Sequence, residues 1–353
     1  MRQTSQLHRH THVYQGLIVL LILFSLLANQ GTQAATAGEK RDEGSTGQSS
    51  VFIPMVINPI HVSDFLDTEN RQLSRDFYQQ EYLPYEDTPI DWTGSFDACD
   101  PGENAQIFAE AVLNRINYFR AMAGVPSATS INPEYSQKAQ AAALMMSVNH
   151  QLDHTPSSSW VCYSNEGSDG ASSSNLSLGL NGWSAVTSEM RDAGDGNSAA
   201  GHRRWILYPQ TQEYGTGSIP SSEGFPASMA LWVFDDHLWE SRPEVRDGYV
   251  AWPPPGYTPY AVVFPRWSFS YPDADFSNAT VVMSEDGESI PVKLEATEVG
   301  YGENTLVWIP DNLSSFDDWP KPVSDTVYSV KISNVLIDGA AREFSYTVTI
   351  FVP

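Results

Sequence analysis

His154 stands immediately before Thr155-Pro156, and about fifty residues later His202 opens the block Gly201-His202-Arg203-Arg204-Trp205-Ile206-Leu207. Imidazole is the commonest protein metal ligand and titrates near neutrality, so two converging histidines can bind a divalent ion or relay a proton. Carboxylates to complete such a site come from Glu166, in the loop after His154, and from Glu189 or Asp192, just ahead of His202. A mixed imidazole and carboxylate set suits zinc or a similar divalent ion, and an incomplete shell leaves room for water or ligand. Other chemistries lack their signatures: there is no Gly-x-Ser-x-Gly elbow, phosphate loop or dinucleotide glycine motif. His150 and His154 lie four apart, but no glutamate follows His150 to make a zinc-protease helix.

The elements that must position these residues are legible from periodicity. Asp100-Pro101-Gly102-Glu103 has the form of a capping box, and Phe108, Val112, Ile116 and Phe119 follow at helical spacing, which predicts a helix over about 101–121. Asn132-Pro133-Glu134 opens a second helix with Tyr135, Ala139, Ala142, Ala143 and Met146 on its apolar face. Extended by further turns, that stripe makes His150 a packed residue and sets His154 at the helix end, facing a loop. The glycine- and serine-rich stretch from about Pro156 to Gly182 reads as a long connection. Trp183, Val186 and Met190 mark a third helix, and Met229 to Phe234 a buried strand.

Beyond Asp247 helical periodicity stops. Trp252-Pro253-Pro254-Pro255-Gly256 is a rigid junction, and short β-rich runs follow at 280–283, 290–294, 305–309, 327–332 and 344–351. Turns at Asp286-Gly287 and Asp338-Gly339 separate some of them, as an antiparallel sandwich requires.

Arg2 and Arg9 precede the apolar run Leu17 to Ala28 and the small residues Ala35-Thr36-Ala37, the pattern of a secretory signal peptide over 1–37 or, uncleaved, of an N-terminal membrane anchor. Residues 38–50 read as a tether, Val51 to Ile57 as a short strand, and the remainder to residue 95 as irregular. The expected organisation is therefore 38–95 linker, 96–246 first domain and 247–353 sandwich. With 43 acidic and 19 basic residues the net charge is −24, a surface that repels nucleic acid and anionic membranes. Cys99 and Cys162 are the sole cysteines, so an exported chain is expected to pair them, contributing on the order of 4 kcal/mol by loop closure. Three Asn-x-Ser/Thr sequons, at Asn175, Asn278 and Asn312, are no more than chance supplies.

The block Gly201 to Leu207, with Asn114 to Arg120, Ala139 to Met146 leading into His154-Thr155-Pro156, and Ser173-Ser174-Asn175-Leu176, resembles the CAP or SCP superfamily of cysteine-rich secretory, antigen 5 and pathogenesis-related 1 proteins, in its bacterial branch. The resemblance covers about Cys99 to Asp235. It implies an α+β fold, a three-layer α-β-α sandwich here followed by the C-terminal antiparallel β-sandwich. It also implies a cleft in which two histidines, matched by His154 and His202, and two acids hold a divalent cation. Ser174 stands where the family carries the first glutamate, Glu189 is the preferred match for the second, and Glu166 is a substitute from upstream.

The reading is an extracellular binding protein rather than an enzyme, with a site at His154, His202, Glu166, Ser174 and Glu189, a tentative metal on the two histidines, and a small apolar ligand or a protein as partner. Two alternatives stand beside it. One is a metal- or histidine-assisted hydrolase of peptidase type. The other is an adhesive or carbohydrate-binding sandwich that uses Trp252, Trp267, Trp308 or Trp319 as an exposed platform.

Overall fold

The computed structural model describes residues 65–353. The leader, the tether and the expected strand at Val51 to Ile57 lie outside the described residues. Where sequence suggested irregular chain, the structure has helix α1 (Arg71–Phe77), capped by the Asn70 side chain and continued by a π turn, Tyr78–Tyr82, and a 3-10 turn, Leu83–Tyr85. Aromatic packing orders it: Tyr78 stacks on Tyr82 at 5.0 Å, and Tyr82 meets the edge of Tyr118 at 4.8 Å. The Arg115 guanidinium lies 3.5 Å from the Tyr82 ring centroid.

Helix α2 runs Gln106–Met122, shorter at its start than predicted. Asp100 does not cap it; it bridges to Ser95, and its carboxylate accepts the Gly102 N–H within a local turn. Strand β1 (Ser130–Ile131) leads to α3 (Pro133–Asn149), whose start is capped by the Asn132 side chain as the sequence suggests. Its end differs from expectation. His150 adopts a left-handed conformation with φ 52°, closes the helix and is exposed rather than packed. His154 thus sits on the following loop.

The expected long connection instead holds α4 (Asn165–Ser172) and β2 (Ser174–Leu178). Its glycines serve close packing: a Cβ on Gly170 would come 2.1 Å from the Lys138 carbonyl oxygen, so α4 lies directly on α3. Helices α5 (Gly182–Arg191) and α6 (Gly201–Ile206) and strands β3 (Glu213–Ile219) and β4 (Ser228–Trp232) follow.

These elements build three layers. The sheet has the order β1-β3-β4-β2, antiparallel except for β1 with β3. Along β4, Met229 and Leu231 enter a core with Val112, Ile116 and Phe119 of α2 and Ala185, Val186 and Met190 of α5. Ala230 enters the opposite core with Ala139, Ala142 and Ala143 of α3 and Ala171 of α4. This alternation is the period of two that a strand buried on both faces must show.

Helix α3 approaches the sheet where β3 has glycine. A Cβ on Gly217 would lie 2.1 Å from the backbone nitrogen of Gln140. Gly217→Ala should therefore push helix and strand apart and cost roughly 1–3 kcal/mol, read as a lower urea midpoint. An unchanged midpoint would show that the helix yields freely.

The remaining strands are β5 (Val250–Trp252), β6 (Gly256–Pro259), β7 (Trp267–Ser270), β8 (Thr280–Glu285), β9 (Glu288–Ile290), β10 (Val292–Leu294), β11 (Thr305–Pro310), β12 (Thr326–Ile337) and β13 (Ala340–Phe351). They form two sheets, β10-β11-β7-β5 and β6-β13-β12-β8-β9, antiparallel except for β6 with β13. Asp286-Gly287 and Asp338-Gly339 turn with positive φ at both residues, as two-residue hairpins demand.

The sandwich core joins Trp267, Phe269 and Trp308 to Met283, Ile332 and Val348. No tryptophan platform exists at the residues proposed for one. Trp252, Trp267 and Trp308 are wholly buried and Trp319 is 5% exposed, and Trp252 packs into the α2/α5 core. Cys99 and Cys162 form a disulfide. Among the described residues no helix is long and apolar enough to cross a membrane.

Candidate functional site

His202 is the second residue of α6, and the turn ahead of it is built around Asp192. That residue closes α5 in a left-handed conformation, with φ 56°, and its carboxylate is buried. One oxygen lies 2.7 Å from His202 Nδ1, and the other accepts the Arg203 backbone N–H at 3.2 Å. One turn back on α5, buried Glu189 accepts from Asn175 Nδ2 at 3.2 Å and from Ser177 Oγ at 3.1 Å, both on β2. Asn175 Nδ2 also donates to the His202 carbonyl at 3.1 Å, tying strand to helix.

His154 is oriented from the other side, its Nδ1 lying 2.8 Å from the Ala171 carbonyl at the end of α4. A carbonyl only accepts, so His154 Nδ1 carries the proton and its Nε2 is left as an acceptor when the ring is neutral.

Both imidazoles line one cavity of about 330 Å³, the size range of small-ligand sites. With each Nδ1 committed, what each ring offers the cavity is Nε2. Ser174 also lines it; the residue is buried and its Oγ has no hydrogen-bond partner among the described residues. Trp205, Val233 and Phe234 supply apolar wall, and Glu298, Gly300 and Tyr301 arrive from the connection between β10 and β11.

The electrostatics are set by burial and by the two acids. Burial opposes charge on His202, but the Asp192 charge and hydrogen bond, with the Glu189 charge, outweigh it and raise the imidazole to about 9. Burial pushes the Glu189 carboxyl up to about 7, against the opposing pull of His202, Asn175 and Ser177. At neutral pH His202 is therefore an imidazolium, with Nδ1 held by Asp192 and Nε2–H as its remaining donor.

Of the residues singled out from sequence, His154, His202 and Ser174 line the cavity, and Glu189 lies behind His202 without lining it. Glu166 does not reach it; it lines a separate groove with Asp100 and Glu103. Asp192, the alternative to Glu189, is the acid in direct contact with His202. Trp205 belongs to the block noted in the sequence, but Asn197 carried no signal because its type is common, and Phe234 and Tyr301 because they are also distant in sequence.

A divalent metal does not fit this donor set. Among the described residues no three His, Cys, Asp or Glu side chains converge on one point, and the acids beside His202 are spent on Nδ1, Asn175 and Ser177. Ser174 at the third position brings no charge to offset a dication.

Residues 113–235 match the family described as CAP, the cysteine-rich secretory protein family. No curated protein matches the chain significantly. Among solved structures, similarity extends to PcoC, a methionine-rich copper resistance protein from Escherichia coli, at 15% identity over 28% of this chain and 92% of that one, with TM-score 0.22. It extends also to the venom allergen-like protein 4 of Schistosoma mansoni, at 12% identity over 39% of this chain and 90% of that one, with TM-score 0.22.

Proposed function

We propose that the chain, whose residues 113–235 match the CAP, or cysteine-rich secretory protein, family, is a secreted binding protein whose ligand is a small uncharged molecule with a hydroxyl or carbonyl group and an apolar ring or chain. The observation that carries this reading is the convergence of two imidazoles on one partly aromatic cavity, His202 with its Nδ1 held by Asp192 and His154 with its Nδ1 held by the Ala171 carbonyl. A hydroxyl suits such a pair, because it both donates to an imidazole nitrogen and accepts from an imidazole N–H.

Charge balance favours a neutral ligand. The His202 cation is already offset by Asp192 and in part by Glu189, so an added anion or cation would be left uncompensated. Hydrolysis with His202 as the general base is the weaker reading, since an imidazole raised to about 9 is protonated at neutral pH.

Benzyl alcohol, benzoate and benzylammonium are suitable probes, equal in shape and different in charge. By NMR, benzyl alcohol should shift the ring nitrogens of both histidines and bind most tightly, and a His154→Ala/His202→Ala variant should lose at least tenfold in affinity. Undiminished binding in that variant would overturn the reading, as would preferred binding of either ion.

A further inference from the structure

The cavity is completed from outside the CAP region. Arg204, buried on α6 two residues after His202, donates through Nη1 to the Glu298 carbonyl at 2.9 Å. Through Nε and Nη2 it donates to the Glu303 carbonyl at 3.2 and 2.9 Å. One guanidinium thus pins both ends of the segment 298–303, which leaves β10 and returns to β11. The Glu303 carboxylate is held in turn by Arg242.

Between the two pinned carbonyls the chain arches over the site. The Tyr301 ring lies against the start of α6: a Cβ on Gly201 would come 3.2 Å from it, and the Arg204 guanidinium lies 5.5 Å from its centroid. Gly302 fits tightly beneath, where a Cβ would come 3.1 Å from the Arg204 carbonyl oxygen. Glu298, Gly300 and Tyr301 all line the cavity that holds His154 and His202.

We propose that the segment Glu298–Glu303 is the specificity wall of this site: the β-sandwich, through Tyr301, fixes the width of the cavity and offers the ring face against which the apolar part of the ligand packs. Its anchorage is a cation with two main-chain carbonyls, so the wall is built into the junction and is not a passing contact of a surface loop. An aromatic side chain on a pinned backbone discriminates by shape, since it excludes ligands broader than the cavity it lines. This inference rests on the binding reading above for the identity of the ligand, and not for the existence of the wall.

Two measurements on the full chain separate those dependencies. The first uses no ligand: a neutral gadolinium chelate too large to enter the cavity is added, and paramagnetic relaxation is measured at the Trp205 indole N–H and the His202 ring. Tyr301→Ala should raise relaxation at both at least threefold, while the exposed His150 is unchanged. Unchanged relaxation at Trp205 and His202 would overturn the wall. The second compares benzyl alcohol with 2-naphthalenemethanol. The wild type should prefer the smaller alcohol, and Tyr301→Ala should shift the affinity ratio at least fivefold toward the larger, with Tyr301→Phe keeping the wild-type ratio. An unchanged ratio in Tyr301→Ala would overturn the specificity role. If neither alcohol binds the wild type, the ligand reading and the specificity role fail together, whereas the relaxation result still decides the wall.

Discussion

Arg203→Met is expected to destabilise the protein by roughly 3–5 kcal/mol, lowering the thermal midpoint by on the order of 10 °C. Methionine nearly conserves the volume, so the loss isolates the guanidinium. Arg203 is wholly buried, and its Nε donates to the Met190 carbonyl at 2.7 Å. Nη1 donates to the Arg266 carbonyl at 2.9 Å and to Ser268 Oγ at 3.1 Å, and Nη2 to the Arg191 carbonyl at 3.3 Å. Met190 and Arg191 end α5, whereas Arg266 and Ser268 lie at β7, so this side chain joins the α-β-α layers to the sandwich. Burial lowers its pKa to about 10, yet it remains charged at neutral pH. Removing it leaves buried carbonyls without donors and leaves Asp192 with one cation fewer nearby. Urea unfolding of wild type and variant measures the difference; a loss below about 1 kcal/mol would mean that water replaces the guanidinium at the junction.

Stability should fall as pH rises from about 5 to 9, through two groups with opposite charge types and the same sign of effect. His202 is raised from 6.5 to about 9 on folding, so its contribution is fully present below about 6.5 and is lost as pH rises through 9. Glu189 is raised from 4.5 to about 7, so the fold favours its protonated form and loses stability as pH rises through that interval. A shift of the size at His202 corresponds to roughly 3 kcal/mol. Asp192→Asn should bring the His202 ring down toward its ordinary range by more than one pH unit, seen by NMR titration, and flatten the upper part of the stability curve. Glu189→Gln should flatten the lower part. A wild-type curve that stays level between pH 5 and 9 would remove the electrostatic basis of the site.

Much of this architecture was legible beforehand. The Asn132-Pro133 start of α3, the α2 stripe, the α5 stripe, β4 and the hairpin turns are local features, set by spacing and by side chains that act on their own backbone. The paired cysteines and the two histidines were legible because their chemistry is rare in this chain. Errors arose where a local signal met a competing contact. Asp100 looks like a helix cap, but its carboxylate closes a turn before α2 begins. The glycines around 170 look like a loop, but they let α4 lie on α3. The tyrosines at 78 and 82 show no periodicity, but they find Tyr118 and Arg115.

By itself, then, the amino-acid sequence determined the layers, the sandwich, the disulfide and the pair of imidazoles, because periodicity and residue type need no knowledge of distant chain. Tertiary structure alone decided that Asp192 rather than Glu189 contacts His202, that the tryptophans offered as a platform are core, and that Tyr301 walls the cavity. Each of these depends on which groups burial brings together across tens of residues, and burial is also what moves the protons on His202 and Glu189.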